Sequence, residues 1–247
     1  MSMKGYKKSN DYSYTLGVFP TIELLKTRPQ DVQRVIVHSS IEKNKGYPLI
    51  QKLCLKNHIY IDISDKTIHK LSPKGNCFAI GVFKKNLSSL KKGHHIALVN
   101  PMDMGNMGTI MRTMLGFGYY NLVIIKPAVD VFDPKVIRAS MGAIFHLNIE
   151  YYDDFECYYQ KYKHHEFYPL MLKGASNIHN VFTENLHTLV FGNESSGLPD
   201  EYLNYGKSVF IPHSEEIDSL NLSMAVGLTL FHFSKNQFQN KKILREE

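Results

Sequence analysis

The chain has 247 residues, 43% of them hydrophobic and 21% charged, which excludes a disordered or fibrous protein and fits one large or two modest globular domains. No apolar run approaches the roughly 18 residues of a membrane-spanning helix. Residues 1–92 carry 17 Lys and Arg against 6 Asp and Glu, a balance of +11, whereas residues 93–247 carry 12 against 17, a balance of −5. The basic first third is typical of a segment that contacts nucleic acid, although Lys-rich surfaces also serve solubility alone.

The first third is predicted to be a small α/β domain that ends in a polar, basic linker at Asn86–His95. Its pattern predicts two helices and three strands: a helix near Thr21–Lys26, a strand at Val35–His38, a helix at Pro48–Asn57, and strands at Ile59–Ile61 and Cys77–Phe83. We therefore assign residues 1–92 to one domain and residues 93–247 to a second.

Five short apolar runs after the linker predict strands: Ile96–Val99, Leu122–Ile125, Phe167–Leu172, Leu189–Phe191 and Val209–Ile211. Because these runs alternate with helical stretches and have no polar face, they predict a largely parallel sheet with helices on both sides. The last helix is predicted to span Ser219 to about Phe238, with Asp218 or Ser219 as its N-cap. Its first turns are apolar nearly all round, so we expect either its own domain or a second subunit to cover it.

Three loops follow predicted strands, at Asn100–Arg112, Phe191–Pro199 and Ile211–Ser223, which is where open α/β sheets bind their ligands. Gly192 would let the backbone approach a ligand closely, so a larger side chain there is expected to obstruct the ligand and leave the fold intact. No GxGxxG, GxxxxGK[ST] or GxSxG motif is present, which disfavours a dehydrogenase, a P-loop NTPase and a serine hydrolase.

The cysteines and histidines do not form a metal-site pattern. Cys54, Cys77 and Cys157 are odd in number and far apart, which argues against a disulfide framework and a zinc site. The histidine doublets at 94–95 and 164–165 direct neighbouring side chains apart, and we expect solvated or interfacial histidines there. Because the start of the chain also lacks the apolar core of a signal peptide, we expect a cytoplasmic protein.

Taken together, the three loops resemble motifs of one enzyme family. NxGxxxR at Asn106–Arg112, GNExxGL at Gly192–Leu198, and IP followed by SLNxS at Ser219–Ser223 are similar, in order and spacing, to motifs one, two and three of the SpoU/TrmH-type RNA 2′-O-ribose methyltransferases of the SPOUT superfamily. The intervening segment Arg138–Leu147 resembles the family's second-helix region. Motif one departs from the family's Pro-x-Asn pattern, because residues 102–105 are inserted before its asparagine.

The resemblance implies an α/β fold whose C-terminal domain is a parallel-sheet methyltransferase domain with a deep trefoil knot. It also implies a small N-terminal α/β domain of ribosomal-protein-like fold that binds the RNA substrate. S-adenosylmethionine would be the cofactor, structured rRNA or tRNA would be the partner, and the C-terminal domain would form a homodimer, with no membrane partner. The reaction would move a methyl group to a ribose 2′-hydroxyl, the group that distinguishes RNA from DNA.

The motifs also imply which residues form the site. Arg112 would hold the target phosphate and stabilise the developing alkoxide, because arginine keeps its proton too firmly to be an ordinary base. Asn106 and Asn221 would fix the loop geometry and the substrate's position, and Glu194 and Ser219 would line the same pocket. Backbone groups around three further residues would hold most of the cofactor: Gly192, Ile211 and Leu220.

Other interpretations of these residues and of the chain remain open. Arg112 could instead form a surface ion pair, and Glu194 and Ser219 could be solvated or capping residues. For the whole chain, the alternative is a non-catalytic RNA-binding or ribosome-assembly factor of the same fold, against which the intact set of site residues counts. A small-molecule enzyme would leave the basic first third unexplained.

Overall fold

The computed structural model describes residues 5–73 and 75–238, and their contacts divide the chain into two compact units. Unit 1 contains the residues up to Ser89 together with Met102–Arg112 and Val129–Glu150. Unit 2 contains Leu90–Pro101, Thr113–Ala128 and the residues from Tyr151 onward. No helix in the described part of the chain is long and apolar enough to cross a membrane. The domain boundary after residue 92 stays a prediction.

A four-stranded sheet with helices on both faces forms most of unit 1. Its strands are β1 (Tyr12–Tyr14), β2 (Val32–Val37), β3 (Ile61–Ile63) and β4 (Ala79–Lys84), in the order β1-β4-β2-β3. β2 and β3 are parallel, and the other pairs are antiparallel. The helices are α1 (Val18–Thr27), α2 (Tyr47–Lys56) and α3 (Asp65–Leu71). The predicted helices and strands are all present within a few residues, and β1 and α3 are additional.

The alternation of side chains along β2 places a helix layer on each face of this sheet. Val35 and Val37 pack with α1 and α2, whereas Ile36 faces the other way and packs with Ile68 of α3. All four of these side chains are at most 3% exposed. The burial of successive strand residues on opposite faces is what one expects of a sheet covered on both sides.

One arginine joins three distant segments of unit 1. The guanidinium of Arg28, just after α1, donates to the carbonyl of Asn86 at 2.7 Å, of Phe145 at 2.9 Å and of Leu147 at 3.0 Å. Burial lowers the pKa of Arg28 from its usual value. The residues that follow β4 and those that precede residue 150 are therefore held to the end of the same helix.

The remaining strands and helices follow in chain order. They are β5 (His95–Val99), α4 (Met104–Gly116), β6 (Asn121–Ile125), α5 (Pro134–Ala139), β7 (Asn148–Tyr152), α6 (Phe155–Lys161), β8 (Glu166–Pro169), β9 (Ser176–Asn177), β10 (His187–Phe191), β11 (Val209–Phe210), α7 (Leu222–Phe233) and α8 (Lys235–Phe238). Short 3-10 helices lie at Pro29–Asp31, Ser39–Lys43, Ala143–His146, Ile178–Asn180 and Asp200–Tyr205.

A five-stranded sheet has the order β7-β6-β5-β10-β8, and β5 is parallel to both β6 and β10. β8 is parallel to β10 on its other side. Every residue of β5, β6 and β10 is buried, which confirms the prediction of a parallel sheet covered on both faces. β11 differs from the prediction, because it pairs with β9 in a separate two-stranded sheet. β7 was not predicted, since its sequence NIEYY has a polar residue at its centre.

The last helix begins later than the sequence predicts. α7 starts at Leu222 because Asn221 is its N-cap, with Oδ1 accepting from the backbone N–H of Ser223 at 2.9 Å and of Met224 at 3.4 Å. Asp218 and Ser219 therefore lie in the loop before the helix, and the prediction of either as the N-cap is wrong. α7 ends at Phe233, and the short helix α8 follows it.

Candidate functional site

A cavity of about 430 Å³ lies at the carboxyl ends of β8, β10 and β11 in unit 2. Three segments enclose it: residues 170–173 after β8, residues 191–198 after β10, and residues of the connection from β11 to α7. The strand order reverses between β5 and β10, and open α/β sheets bind ligands beside such a reversal. The volume is in the range of small-molecule sites, which is roughly 300–1,000 Å³.

Most of the predicted site residues meet in this cavity. Five of them line it: Gly192, Glu194, Ile211, Ser219 and Leu220. Asn221 follows directly and caps α7, with its side-chain oxygen also accepting from the Ser223 hydroxyl at 2.7 Å. Motif residues from two separate segments of the chain, around 192 and around 220, therefore line one cavity.

Asn106 and Arg112 lie on α4, in the part of that helix that belongs to unit 1. The backbone N–H of Asn106 donates to Oδ1 of Asp103 at 2.7 Å, in the first turn of the helix. Arg112 is exposed and has no ion-pair or hydrogen-bond partner among the described residues. The alternative interpretation of Arg112 as one half of a surface ion pair therefore has no partner in this part of the chain.

The glycine of motif one serves helix packing. A Cβ at Gly108 would lie 2.4 Å from Cβ of Ala139 and 2.8 Å from the carbonyl oxygen of Val136, both on α5. Only glycine permits α4 and α5 to approach this closely. The glycine of the NxGxxxR motif is thus explained by a contact within unit 1.

Gly192 is required by the packing of its own loop. A Cβ there would lie 2.1 Å from the carbonyl carbon of Gly197 and 2.4 Å from the backbone nitrogen of Leu198. The loop is closed on itself by two backbone hydrogen bonds between Asn193 and Gly197, of 3.0 and 3.2 Å. The expectation that a larger residue at 192 would leave the fold intact is therefore wrong, since the loop itself needs the glycine.

Two asparagines that sequence reasoning missed connect the carboxyl ends of three strands. Asn100, directly after β5, has φ +51° and donates from Nδ2 to the carbonyl of Lys126 at 2.7 Å, just beyond β6. Asn193, after β10, donates from Nδ2 to the carbonyl of Asn100 at 2.7 Å and accepts at Oδ1 from the N–H of Ser195 at 2.9 Å. Asparagine tolerates positive φ better than most residues, and this was the available signal at position 100.

The cavity wall is acidic. It includes the carboxylates of Glu194, Asp200 and Asp218 and a single ammonium group, that of Lys173, which contacts Asp200. A cationic ligand is favoured by such a wall. The sequence did not predict three of the lining residues: Lys173, Asp200 and His213. Lys173 directly follows the strand predicted at Phe167–Leu172, and loops that follow strands of an open α/β sheet bind ligands.

The opposite, amino ends of the strands carry a buried cluster of histidines. His95, His165 and His187 are at most 7% exposed, so the prediction of solvated or interfacial histidines is wrong at positions 95 and 165. Nδ1 of His187 donates to the carbonyl of Asn185 at 3.0 Å, which leaves Nε2 to accept from the Tyr119 hydroxyl at 2.7 Å. Burial is the main cause that lowers the pKa of both His165 and His187 to about 4.

No group of three or more His, Cys, Asp or Glu in the described ranges is arranged to hold a metal ion. His187 instead stacks on His94, with ring centroids 4.0 Å apart. His165 and the Tyr158 hydroxyl both contact the hydroxyl of Thr188, at 3.0 and 2.8 Å. These neutral rings therefore belong to the core of unit 2.

Comparison with known proteins gives a family. The model of the SpoU rRNA Methylase family matches residues 93–231. A protein of Listeria innocua, provisionally named as a tRNA (cytidine(34)-2′-O)-methyltransferase, is 31% identical over 150 residues, which cover 58% of this chain and 88% of that protein.

Two solved structures show how far the similarity extends. The S-adenosylmethionine-bound rRNA methyltransferase of Sinorhizobium meliloti has a TM-score of 0.78 and 21% identity over 92% of this chain and 88% of that one, which shows the fold alone. A protein of Bacillus anthracis, provisionally described as an RNA methyltransferase, has a TM-score of 0.54 and 30% identity over 62% of this chain and 99% of that one. Since the family model covers more than half of its length, the chain belongs to the SpoU rRNA methylase family.

Proposed function

We propose that the protein transfers a methyl group from S-adenosylmethionine to a ribose 2′-hydroxyl of a structured RNA, either rRNA or tRNA. The observation that carries this proposal is the cavity at the carboxyl ends of β8 and β10, in which five motif residues meet. Membership in the SpoU family supplies the class of reaction. The names of the relatives, which include tRNA and rRNA methyltransferases, support RNA as the substrate.

The residues around the cavity fit S-adenosylmethionine. When bound, this cofactor supplies a methyl group that its positively charged sulfonium activates for transfer. The carboxylates of Glu194 and Asp218 favour a cation, and apolar side chains such as Met171 and Leu222 suit a flat adenine ring. Backbone groups around three residues would form most of the hydrogen bonds: Gly192, Ile211 and Leu220.

Arg112 would act on the RNA. Its exposed guanidinium, which has no partner among the described residues, is available to bind the target phosphate and to stabilise negative charge that develops on the ribose oxygen. The proton of the 2′-hydroxyl would leave through phosphate or water. Asn106 and Asn221 would position the RNA substrate. Glu194 and Ser219 would line the side of the pocket that faces the RNA. Methyl transfer needs the oxygen, methyl and sulfur in line, so positioning supplies much of the rate.

The finer architecture belongs to the same proposal. We assign residues 93–247 to a methyltransferase domain whose motif loops form a trefoil knot, and residues 1–92 to an RNA-binding domain of ribosomal-protein-like fold with its linker. The three cysteines are free thiols, which supports a reducing cytoplasm as the compartment.

A homodimer through α7 is also part of the proposal. One stripe of α7 is buried, with Val226 and Leu230 fully inaccessible. A second stripe at a spacing of four and three residues is exposed: Met224 at 56%, Leu228 at 42% and Phe231 at 66%. A second copy of α7 would remove this apolar stripe from water. Light scattering across a range of concentrations should give twice the monomer mass, and a constant monomer mass would contradict the dimer.

The test of the proposed activity is direct methyl transfer. Purified protein is incubated with S-adenosylmethionine labelled at its methyl group and with RNA from cells that lack the gene. We expect label in nucleotides whose ribose resists alkaline cleavage, because a 2′-O-methyl group blocks attack by the 2′-oxygen. Binding of RNA and cofactor without transfer would instead favour the non-catalytic RNA-binding or ribosome-assembly factor.

A further inference from the structure

The outer face of α2 carries lysines and no carboxylate, and Glu42 is the acidic residue nearest to it in sequence. Residues 43–61 contain four lysines and no Asp or Glu: Lys43, Lys45, Lys52 and Lys56. All four are exposed, and none forms an ion pair with a described residue. We name the outer face of α2, formed by Lys52, Leu55 and Lys56, the α2 basic face.

The inner side of α2 fixes the orientation of this face. Ile50 and Cys54 are 0% and 1% exposed and pack in the core against β2. Lys52 and Lys56 lie one turn apart, about 6 Å along the helix axis, on the opposite side. Leu55 between them is 81% exposed. The lysines are therefore held in one row by a helix whose other side is anchored.

The other two helices of this sheet carry carboxylates beside their lysines. On α1, Lys26 pairs with Glu23 at 3.3 Å, and Glu23 also contacts His146 at 2.9 Å. On α3, Asp65 begins the helix that carries Lys66 and Lys70. Among α1, α2 and α3, only α2 thus carries lysines without a carboxylate on the same helix.

We infer that the α2 basic face binds the sugar-phosphate backbone of the RNA substrate, an inference that rests on the proposed function. Charge complementarity selects the occupant, because a row of unneutralised lysines releases condensed counterions when it meets a polyanion. The SpoU family model matches residues 93–231, so α2 lies outside the matched range. The α2 basic face therefore belongs to a part of the chain that adds substrate capture to the methyltransferase domain.

The experiment compares two double variants of the full chain. Lys52→Ala with Lys56→Ala removes two charges from the α2 basic face, and alanine preserves the helix. Lys7→Ala with Lys66→Ala is the matched control, since both lysines are exposed and lie on the side of the sheet that α3 covers. The probe is an unmodified tRNA transcript, and a transcript of an rRNA domain is measured in parallel.

The readout is the slope of log affinity against log salt concentration. Loss of two phosphate contacts should reduce the slope by about 1.4 to 1.8 in the α2 variant and leave it unchanged in the control. An equal reduction in both variants, or an unchanged slope in the α2 variant, would overturn the inference. The inference would also be overturned if the α2 variant kept its RNA affinity while Leu55→Ser lost a co-purifying protein. That result would show that the α2 basic face binds a protein.

A separate measurement distinguishes failure of this inference from failure of the proposed function. At saturating RNA, the α2 variant should methylate as fast as the unchanged protein, because its lysines lie far from the motif loops in sequence and take no part in the chemistry. If the unchanged protein binds RNA with the expected slope but transfers no methyl group, the proposed function fails while the α2 basic face stands.

Discussion

The two ends of the parallel sheet in unit 2 use polar residues in opposite ways. At the amino ends of β5, β8 and β10, histidines are buried and bonded to tyrosine and threonine hydroxyls, as in the contact of His187 with Tyr119. At the carboxyl ends, the loops turn back on themselves and enclose an acidic cavity. The same strands therefore end in a closed network on one side and in an open site on the other, which separates the residues that stabilise the sheet from those available to a ligand.

The largest expected effect tests whether the chemistry depends on the helix that follows β5 in the chain. Arg112→Ala should reduce the single-turnover rate of methyl transfer by a factor on the order of hundreds, as does loss of one preorganised donor. Arg112→Lys should restore little, because an ammonium group keeps the charge but loses the planar fork. Rates are measured at saturating RNA with labelled S-adenosylmethionine.

Lys135→Ala is the control for Arg112, since Lys135 is exposed on α5 and carries the same charge. It should leave the rate unchanged, and cofactor affinity should be near normal in all three variants. A near-normal rate for Arg112→Ala would return this residue to the role of a surface arginine.

The second expected effect concerns the loop that closes the carboxyl end of β10. Gly192→Ala places a Cβ where the backbone of Gly197 and Leu198 lies, so the loop must shift and cofactor binding should fall by more than about tenfold. Gly116→Ala is the matched control, because a Cβ there meets nothing within 4 Å. Calorimetric titration with S-adenosylmethionine measures both, and equal affinities would show that the loop path does not shape the site.

The third prediction concerns the amino ends, where acid should weaken the fold. The folded pKa of His165 and of His187 is lowered to about 4, so between pH 6.5 and 4 the unfolded chain binds protons that the folded chain does not. The contribution of these two histidines to the free energy of unfolding is fully present above pH 6.5. It falls as the pH drops toward 4, by up to about 1.4 kcal/mol per pH unit for each histidine. Urea unfolding at a series of pH values measures the slope.

His187→Gln should flatten this dependence, whereas His179→Gln should not, because His179 is exposed. An identical pH slope in both variants would show that the buried cluster is not the group that titrates.

The smallest expected effect tests the link between the carboxyl ends of β5 and β10. Asn193→Asp keeps an acceptor for the N–H of Ser195 but replaces the donor to the carbonyl of Asn100 with a second oxygen. We expect a loss of roughly 1 kcal/mol in stability and a few-fold weaker cofactor binding. Asn180→Asp, at an exposed residue that does not line the cavity, is the comparison for the added charge. A cofactor affinity unchanged in Asn193→Asp would show that the loop holds its shape without this bond.

The sequence predicted the central strands of the parallel sheet better than it predicted the loops and helix start beyond their ends. Continuous apolar runs identify β5, β6 and β10 because strands buried on both faces cannot contain polar residues in their middle. The start of α7 was misplaced, since Asp218, Ser219 and Asn221 are all good N-cap residues and only the path of the backbone selects among them.

The contacts of Gly192 and of the histidines could not be predicted for a related reason. The atoms that exclude a Cβ at Gly192 belong to residues five and six positions later, and their approach depends on how the loop closes. The partner of His187 is Tyr119, 68 residues away. From residue type alone, a histidine is expected to be solvated. Its burial requires a hydrogen-bond partner for the ring nitrogen, and here that partner is a hydroxyl far away in the sequence.

The arginine at the end of α1 sets an order of events during synthesis. Its third acceptor, the carbonyl of Leu147, follows Arg28 by 119 residues in the chain. At a translation rate of about 5–20 residues per second, Arg28 is synthesised roughly 6–24 s before this partner. A chain released near residue 92 would therefore expose a guanidinium with one of its three carbonyl acceptors, and released chains that include residue 150 should resist protease where the shorter ones are cut.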